Sequence, residues 1–440
     1  MPEVPRIQQW PRGPTNPLHH AADCGSFEAA AAVVASGAFD IDQGNEFGWT
    51  ALMMASRGGH SRIVRMLLIK GAQVLIANDL DTTALHQSVL GGHLAVTKML
   101  VEAGAPLEAV TKEQLWTPLH IAARNGCAES ITTLLDAGAN LNSRQSDGAT
   151  PLYTAALQGN VNAFRLLLVA KADPLLTCAP DSPEDVFLPL DAAAVKGHAE
   201  VVHELIRQVG IDGCGGSSGG EHALQQAALS RHLDIMAILT NAGVVDTSGL
   251  ALRMAAGFGG EAPVQFLLEQ ARARKTMDLL AYVNARDCCG MTPLLCAVRS
   301  HGPCSPRVVR LLAEAGADTT SAVVVCSQPE EDGFSITPLG FTVGFLRHKV
   351  AGTGTSPKEQ LNELEAIRRL LLRVEAVHAV SWLWPSDIST ITHATAKGTD
   401  RTTVTSTAGT PPMLMMRRRT RVREVPLAAL LRYSSKPRPG

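Results

Sequence analysis

Residues 117–142 read TPLHIAARNGCAESITTLLDAGANLN, and closely similar segments recur along the chain. Each clear copy opens on a Thr-x-Leu core at Thr50, Thr83, Thr117 or Thr150. The steps between these threonines are 33, 34 and 33 residues. A fixed period of that length indicates a repeat array, in which one small unit is copied and stacked on its neighbours.

The residue types within one copy predict two antiparallel helices. Thr117 carries a hydroxyl that can cap free amides at a helix start, and Pro118 falls at the first helical position, where a missing N–H costs nothing. His120 can return a hydrogen bond towards the threonine. Gly138 ends the second helix, because a glycine just past the last turn accepts the left-handed conformation.

The apolar residues of the copy predict how units associate. Ala122 and Ala123 are small enough for neighbouring inner helices to approach closely, whereas Ile131, Leu134 and Leu135 place an apolar stripe on the second helix. Since no single unit can cover its own apolar face, the core forms between units.

This period with its TPLH core resembles the ankyrin-repeat family, whose unit is a β-turn followed by two helices. The resemblance predicts an all-α ankyrin-repeat solenoid of helix-turn-helix units with β-hairpin loops, about nine or ten repeats long, over residues 15–377. An irregular leader, residues 1–14, precedes it. The repeats become degenerate after residue 180, and insertions near residues 210–220 and 351–361 are predicted to be surface loops. Weaker copies open at Asn16, Leu188, Glu221, Leu250, Thr292 and Thr337.

Composition and charge exclude several classes of protein. The chain is 45% hydrophobic but only 4% aromatic, so it is too apolar to be disordered, and Ala and Leu must carry the packing. A net charge of -2 argues against electrostatic binding of the whole protein to nucleic acid or membrane. Nine cysteines without framework spacing favour a reducing compartment. With no leader-type apolar segment or membrane-length run, we expect a cytoplasmic protein.

The segment 378–440 has a different character. It holds ten Lys and Arg against three Asp and Glu and is rich in Ser and Thr, which predicts a disordered tail. A basic cluster within it is a candidate nuclear import signal, or simply solvated charge. Residues 425–433 resemble the end of a SOCS box, so an alternative function is an adaptor or nuclear regulator whose tail recruits a second factor. The cluster consists of Arg417, Arg418, Arg419, Arg421 and Arg423.

Motifs for catalysis, cofactors or metals are missing from the sequence. There is no phosphate-binding loop with its lysine and no G-x-S-x-G, so we expect neither an enzyme nor a cofactor. Cys288, Cys289, Cys296 and Cys304 lack C-x-x-C spacing and are predicted to point in different directions, so no metal site is expected. The recurring histidines are interpreted as structural. They are His60, His86, His93, His120 and His198.

Resemblance to the family implies that partners dock on the concave face, formed by hairpin tips and the exposed side of the inner helices. Trp49 and Trp116 precede two of the threonines, and Arg57 and Arg124 stand in the same relation to them. We expect exposed rings that anchor a partner, paired with arginines through cation-π contacts; packing on the next hairpin is the alternative. The protein is predicted to be a monomeric scaffold that binds a protein or peptide. The predicted partner-binding residues are Trp49, Arg57, Leu90, Trp116, Arg124, Asn125 and Gln158.

Overall fold

A computed structural model describes most of the predicted array. The described residues are 16–178, 187–274, 278–287, 290–299, 306–318, 323–325 and 334–336. Several sequence predictions fall outside these residues. They are the leader 1–14, the tenth repeat from Thr337, the insertion 351–361, and the tail 378–440 with its basic cluster.

The chain divides into two compact units, Met1–Asp246 and Thr247–Gly440. The described part of the first unit is a series of helix pairs, as the repeats predict. The inner and outer helices of its seven pairs are α1 (Pro17–Asp23) and α2 (Phe27–Ser36), α3 (Ala51–Arg57) and α4 (Ser61–Ile69), α5 (Ala84–Leu90) and α6 (Leu94–Glu102), α7 (Pro118–Asn125) and α8 (Ala128–Asp136), α9 (Pro151–Gln158) and α10 (Val161–Val169), α11 (Pro189–Lys196) and α12 (Ala199–Val209), α13 (Gly216–Ser230) and α14 (Leu233–Asn241).

The second unit continues the pattern less regularly. Its helices are α15 (Leu250–Met254), α16 (Glu261–Ala273), α17 (Leu279–Val283), α18 (Pro293–Arg299) and α19 (Pro306–Glu314). A π-helical turn, Ala255–Gly259, follows α15 directly. Thr292 accepts the N–H of Leu295 at 3.3 Å, so the ninth copy begins as its sequence predicts.

Threonine caps define where the best inner helices begin. The hydroxyls of Thr50, Thr117 and Thr150 accept N–H groups three residues further along, at 3.2 to 3.4 Å. Each threonine backbone is extended and the next residue is helical. Gly138 adopts the left-handed conformation just past α8, with φ 94°, as predicted.

The core lies between successive pairs, in two layers. Inner helices contribute Leu52, Leu85 and Leu119, and the alanines beside them, such as Ala122, are fully buried. Outer helices bury mainly branched side chains such as Leu134, with few alanines beside them. This division confirms the predicted use of small residues where helices approach most closely.

The glycine-rich segment near residues 210–220 is not the surface loop that the sequence predicted. A 3₁₀ turn, Asp212–Cys214, leads directly into α13, which begins at Gly216. The reason is close packing: a β-carbon at Gly219 would overlap the carbonyl of Cys214, and one at Gly220 would crowd Val244. Glycine is required here because neighbouring atoms leave no room for a side chain, not because the segment must be flexible.

Two short strands were not predicted. β1 (Val323–Val325) and β2 (Phe334–Ile336) pair antiparallel, with Val324 opposite Ser335. Elsewhere the hairpins between repeats carry isolated antiparallel bridges, between Ala77 and Thr83 and between Cys178 and Phe187.

Candidate protein-binding surface

The helix-start histidines join each repeat to the next. His86 Nδ1 accepts the N–H of Thr83 at 3.1 Å, so its Nε2–H is free to donate to the carbonyl of Trp116, also at 3.1 Å. His120 makes the equivalent bonds to Thr117 at 3.3 Å and to Ala149 at 3.2 Å. Burial lowers the pKa of both imidazoles to about 4, against the opposing effect of their carbonyl partners. The predicted structural role of these histidines is therefore confirmed.

A second set of cross-repeat bonds fixes the position that carries Arg57 and Arg124. His93 Nε2 donates to the carbonyl of Arg57 at 2.9 Å, and Asn160 Nδ2 donates to that of Arg124. The same bond recurs from His60 to Asp23, from His198 to Leu157 and from His232 to Val195. The variable residues at the ends of the inner helices are thus held in register along the array.

Glycines between the helices of a pair make room for these rings. Gly59 has φ 72°, and a β-carbon there would overlap the imidazole of His93. Gly159 stands in the same relation to His198. Glycine at this position therefore meets a packing requirement set by the ring of the next repeat, as well as ending the helix.

Both predicted tryptophan–arginine pairs are present. The Arg57 guanidinium lies 5.9 Å from the centre of the Trp49 ring, and that of Arg124 lies 5.1 Å from the Trp116 ring. These distances are in the range of cation-π contacts. Burial lowers the pKa of both arginines, with Asp23 opposing the shift at Arg57. Arg57 also donates to Gln87 Oε1 at 3.2 Å.

The expectation that both rings are exposed is wrong for Trp49, which is only 4% exposed. Its ring belongs to the core, and its backbone N–H is held by Asn45 Oδ1 at 2.9 Å. Trp116 is half-buried and therefore keeps part of its ring accessible. Spacing alone cannot distinguish the two, because they occupy the same repeat position.

The other predicted site residues lie along the same edge of the inner helices. Asn125 and Gln158 are exposed, and Leu90 is half-buried. Asn125 Nδ2 donates to the carbonyl of Leu90 at 3.4 Å, in the repeat where a cysteine, Cys127, replaces the usual histidine. This bond brings two of the predicted residues together.

The hairpin tips form a continuous row that the sequence analysis did not single out. Asp79 N–H donates to the carbonyl of Phe47 at 3.2 Å, and Lys112 N–H donates to that of Leu80 at 3.1 Å. Leu115, in the third of these tips, has φ 54° at the position that Gly48 occupies in the first. A branched side chain in this left-handed conformation costs about 1 to 2 kcal/mol. Aligning the tips by their threonines would have revealed this substitution.

A buried carboxylate replaces the histidine in the sixth repeat. Asp191 accepts the N–H of Leu188 at 2.7 Å and lies 3.1 Å from His222 Nδ1 of the next repeat. The hydrogen bond to this carboxylate raises the pKa of His222, although burial opposes the shift. The sixth repeat thus keeps a cross-repeat hydrogen bond, but here the residue at the histidine position accepts it and the next repeat donates it.

One of the four cysteines considered as metal ligands lies among the described residues. Cys296 is half-buried on α18, while Cys288, Cys289 and Cys304 lie outside the described residues. Within the described ranges, three or more potential ligands do not converge on one point. In the same ranges, every helix is too short or too polar to cross a bilayer.

Comparison with known proteins identifies the repeat. A family model described as ankyrin repeats matches the chain in three copies, over residues 6–78, 72–145 and 138–214. These copies include every residue of the predicted binding surface.

Several curated proteins are similar to this array. The human transient receptor potential cation channel subfamily A member 1 is 29% identical over 237 residues, 53% of this chain and 21% of the channel. The Drosophila melanogaster tyrosine-protein kinase Shark is 30% identical over 46% of this chain and 18% of the kinase. The putative E3 ubiquitin-protein ligase XBAT34 of Arabidopsis thaliana is 33% identical over 144 residues, 31% of this chain and 37% of the ligase. The chain therefore spans well under half of each relative.

Proposed function

Because this chain is a member of the ankyrin-repeat family over residues 6–214, we propose that it is a non-enzymatic scaffold that binds a partner protein or peptide on the concave face of repeats two to five. Ankyrin repeats generally mediate protein–protein interaction. The proposed contact residues are Arg57, Leu90, Trp116, Arg124, Asn125 and Gln158, with Trp49 as a buried support for Arg57.

The observation that carries this proposal is the contrast between two matched pairs. Arg124 lies over a half-buried ring, whereas Arg57 lies over a buried one. A partly accessible aromatic ring is favourable to bury on association because it has few rotamers to lose. Trp116 is therefore the proposed anchor, and Arg124 orients the partner through its remaining donors.

The test compares Trp116→Ala with Trp49→Ala, which make the same change at the same repeat position. We expect Trp116→Ala to weaken partner binding by about 2 kcal/mol or more and to leave the melting temperature nearly unchanged. Trp49→Ala should instead cost about 3 to 5 kcal/mol of stability, because it empties a buried site. The measurements are thermal unfolding of both variants and titration of each with a partner isolated on the wild-type protein.

His120→Ala is the structural control, since its ring bridges two repeats. The proposal fails if Trp116→Ala keeps full affinity for a genuine partner, or if it loses stability as His120→Ala does.

A second proposal concerns location. We propose that the protein is cytoplasmic and that its basic cluster, residues 417–423, directs part of it to the nucleus. The concentration of five arginines in seven residues supports this role. Deleting residues 417–423 from a fluorescent fusion should abolish nuclear signal, and unchanged nuclear signal would refute the import role.

A further inference from the structure

Among the described residues, the hairpin tips of repeats two to four combine exposed apolar groups with acidic ones. Phe47 is 45% exposed and Leu115 is 40% exposed, one at each end of the three tips. Four exposed carboxylates surround them. We call these residues the hairpin-tip row: Glu46, Phe47, Asp79, Asp81, Glu113 and Leu115.

The row is rigid, so its side chains keep their spacing before any partner arrives. Each tip donates a backbone N–H to the preceding tip, and Ser146 N–H extends the series by donating to Gln114 at 3.1 Å. The backbone at each tip is tied as well: Asn45 and Asn78 side chains each accept the N–H of the residue before a threonine, both at 2.9 Å. A preordered surface loses little entropy on binding.

Leu115 is the feature of this row that folding alone does not explain. The equivalent residues are Gly48 in repeat two, Asp81 in repeat three and Gly148 in repeat five, and all have positive φ. Short polar Asp adopts this conformation more readily than Leu does. Glycine would adopt this conformation without strain, yet the position holds a leucine that is partly exposed to solvent. Strained backbone retained beside an exposed apolar group indicates a binding role.

Charge identifies the chemistry of the occupant. Lys112 is the basic residue among these tips, and its Nζ lies 3.4 Å from the carbonyl of Asp79. Arg57 and Arg124 lie over tryptophan rings and are half-buried, so their charge is directed into internal contacts. What the tips present to solvent is therefore predominantly negative, interspersed with apolar side chains.

From this arrangement we propose that the hairpin-tip row binds a basic segment of a partner protein, in which Lys or Arg residues flank apolar ones. The apolar groups of the segment would cover Phe47 and Leu115 while its cations meet the carboxylates between them. This inference rests on the proposed scaffold function and specifies the partner chemistry that the function leaves open.

The experiment is a selection of random displayed peptides on the full-length protein, followed by affinity measurements with the selected peptides. We expect enrichment of peptides that contain both Lys or Arg and large apolar residues, with affinities that fall as salt rises. Leu115→Gly should weaken binding about tenfold while raising the melting temperature, because it removes an exposed contact and relieves strain together. The double variant Asp79→Asn/Asp81→Asn should weaken binding and reduce its salt dependence.

Ile69→Ala is the matched control, since Ile69 is also exposed but lies at the end of α4, outside the row. Enrichment of acidic peptides, failure to select any peptide, or binding unaffected by Leu115→Gly would overturn the inference. Peptides that lose affinity with Arg124→Ala but not with Leu115→Gly would overturn it while leaving the scaffold function in place. Peptides that depend on Leu115 but not on Trp116 or Arg124 would support the inference and contradict only the proposed anchor at Trp116.

Discussion

The imidazoles of His86 and His120 stabilise the array in their neutral form. Each ring accepts a hydrogen bond on Nδ1 and donates one from Nε2, and a protonated ring cannot accept. Their pKa values of about 4 lie below the value of about 6.5 expected in the unfolded chain. As pH falls through this interval, the unfolded state takes up protons that the folded state excludes.

Stability should therefore be fully present above about pH 6.5 and should be lost progressively down to about pH 4. For each of these histidines the total loss is about 3 kcal/mol, of which about 2 kcal/mol has occurred by about pH 5. The measurement is urea unfolding near neutral pH and at about pH 5 for the wild type and for His86→Gln/His120→Gln. The double variant should be less stable at neutral pH but should lose less on acidification. An equal loss in both proteins would contradict this assignment.

At the scale of single residues, the sequence predicted contacts better than exposure. The tryptophan–arginine pairs follow from repeat spacing, because residues at equal repeat positions have equal neighbours. Whether a ring is covered depends on the side chains around it, which differ between Trp49 and Trp116 although their repeat position is the same. The strained Leu115 was overlooked for another reason: a leucine by itself gives no sign of its φ angle, and only alignment with Gly48 and Gly148 reveals it.

The outer helices supply half of the largest fully buried side chains of the described residues, so their stability depends on neighbours rather than on helix propensity. Leu134 of α8 is fully buried between repeats. Leu134→Ala should cost about 2 to 5 kcal/mol, since it removes apolar contacts and leaves a cavity that rigid helices cannot close. Denaturant unfolding measures the loss. Leu75→Ala, at a site that is 65% exposed, is the matched control and should change stability by less than about 0.5 kcal/mol. A loss below about 1 kcal/mol for Leu134→Ala would refute the assigned register.

Element boundaries were predictable wherever a threonine and a glycine frame the helix, as in α7 and α9. The start of α13 was not predictable. Its glycines read as a loop because glycine is a poor helix former, but tertiary packing against Cys214 and Val244 outweighs that preference. Strands β1 and β2 carry no repeat signal, so nothing in the 33-residue pattern could have indicated them.

The two halves of the array should differ in resistance to local opening. Repeats two to five begin at threonines, whereas α11 begins after Leu188, α13 after Gly215 and α15 after Gly249, none of which offers a capping hydroxyl. A lost cap costs about 1 kcal/mol per helix. Hydrogen exchange of the full chain should therefore show faster exchange in repeats six to eight than in repeats two to five. The reverse order of protection would contradict the prediction.

The same cross-repeat bonds bear on how the chain folds while it is being synthesised. His86 finds its acceptor 30 residues further along, at Trp116, and His120 finds its own 29 residues further along, at Ala149. A repeat emerging from the ribosome therefore cannot complete its bonding until the hairpin that leads into the following repeat has also emerged. During synthesis, the most recently made repeat therefore lacks its histidine bond, and that bond forms only after the next hairpin has left the ribosome.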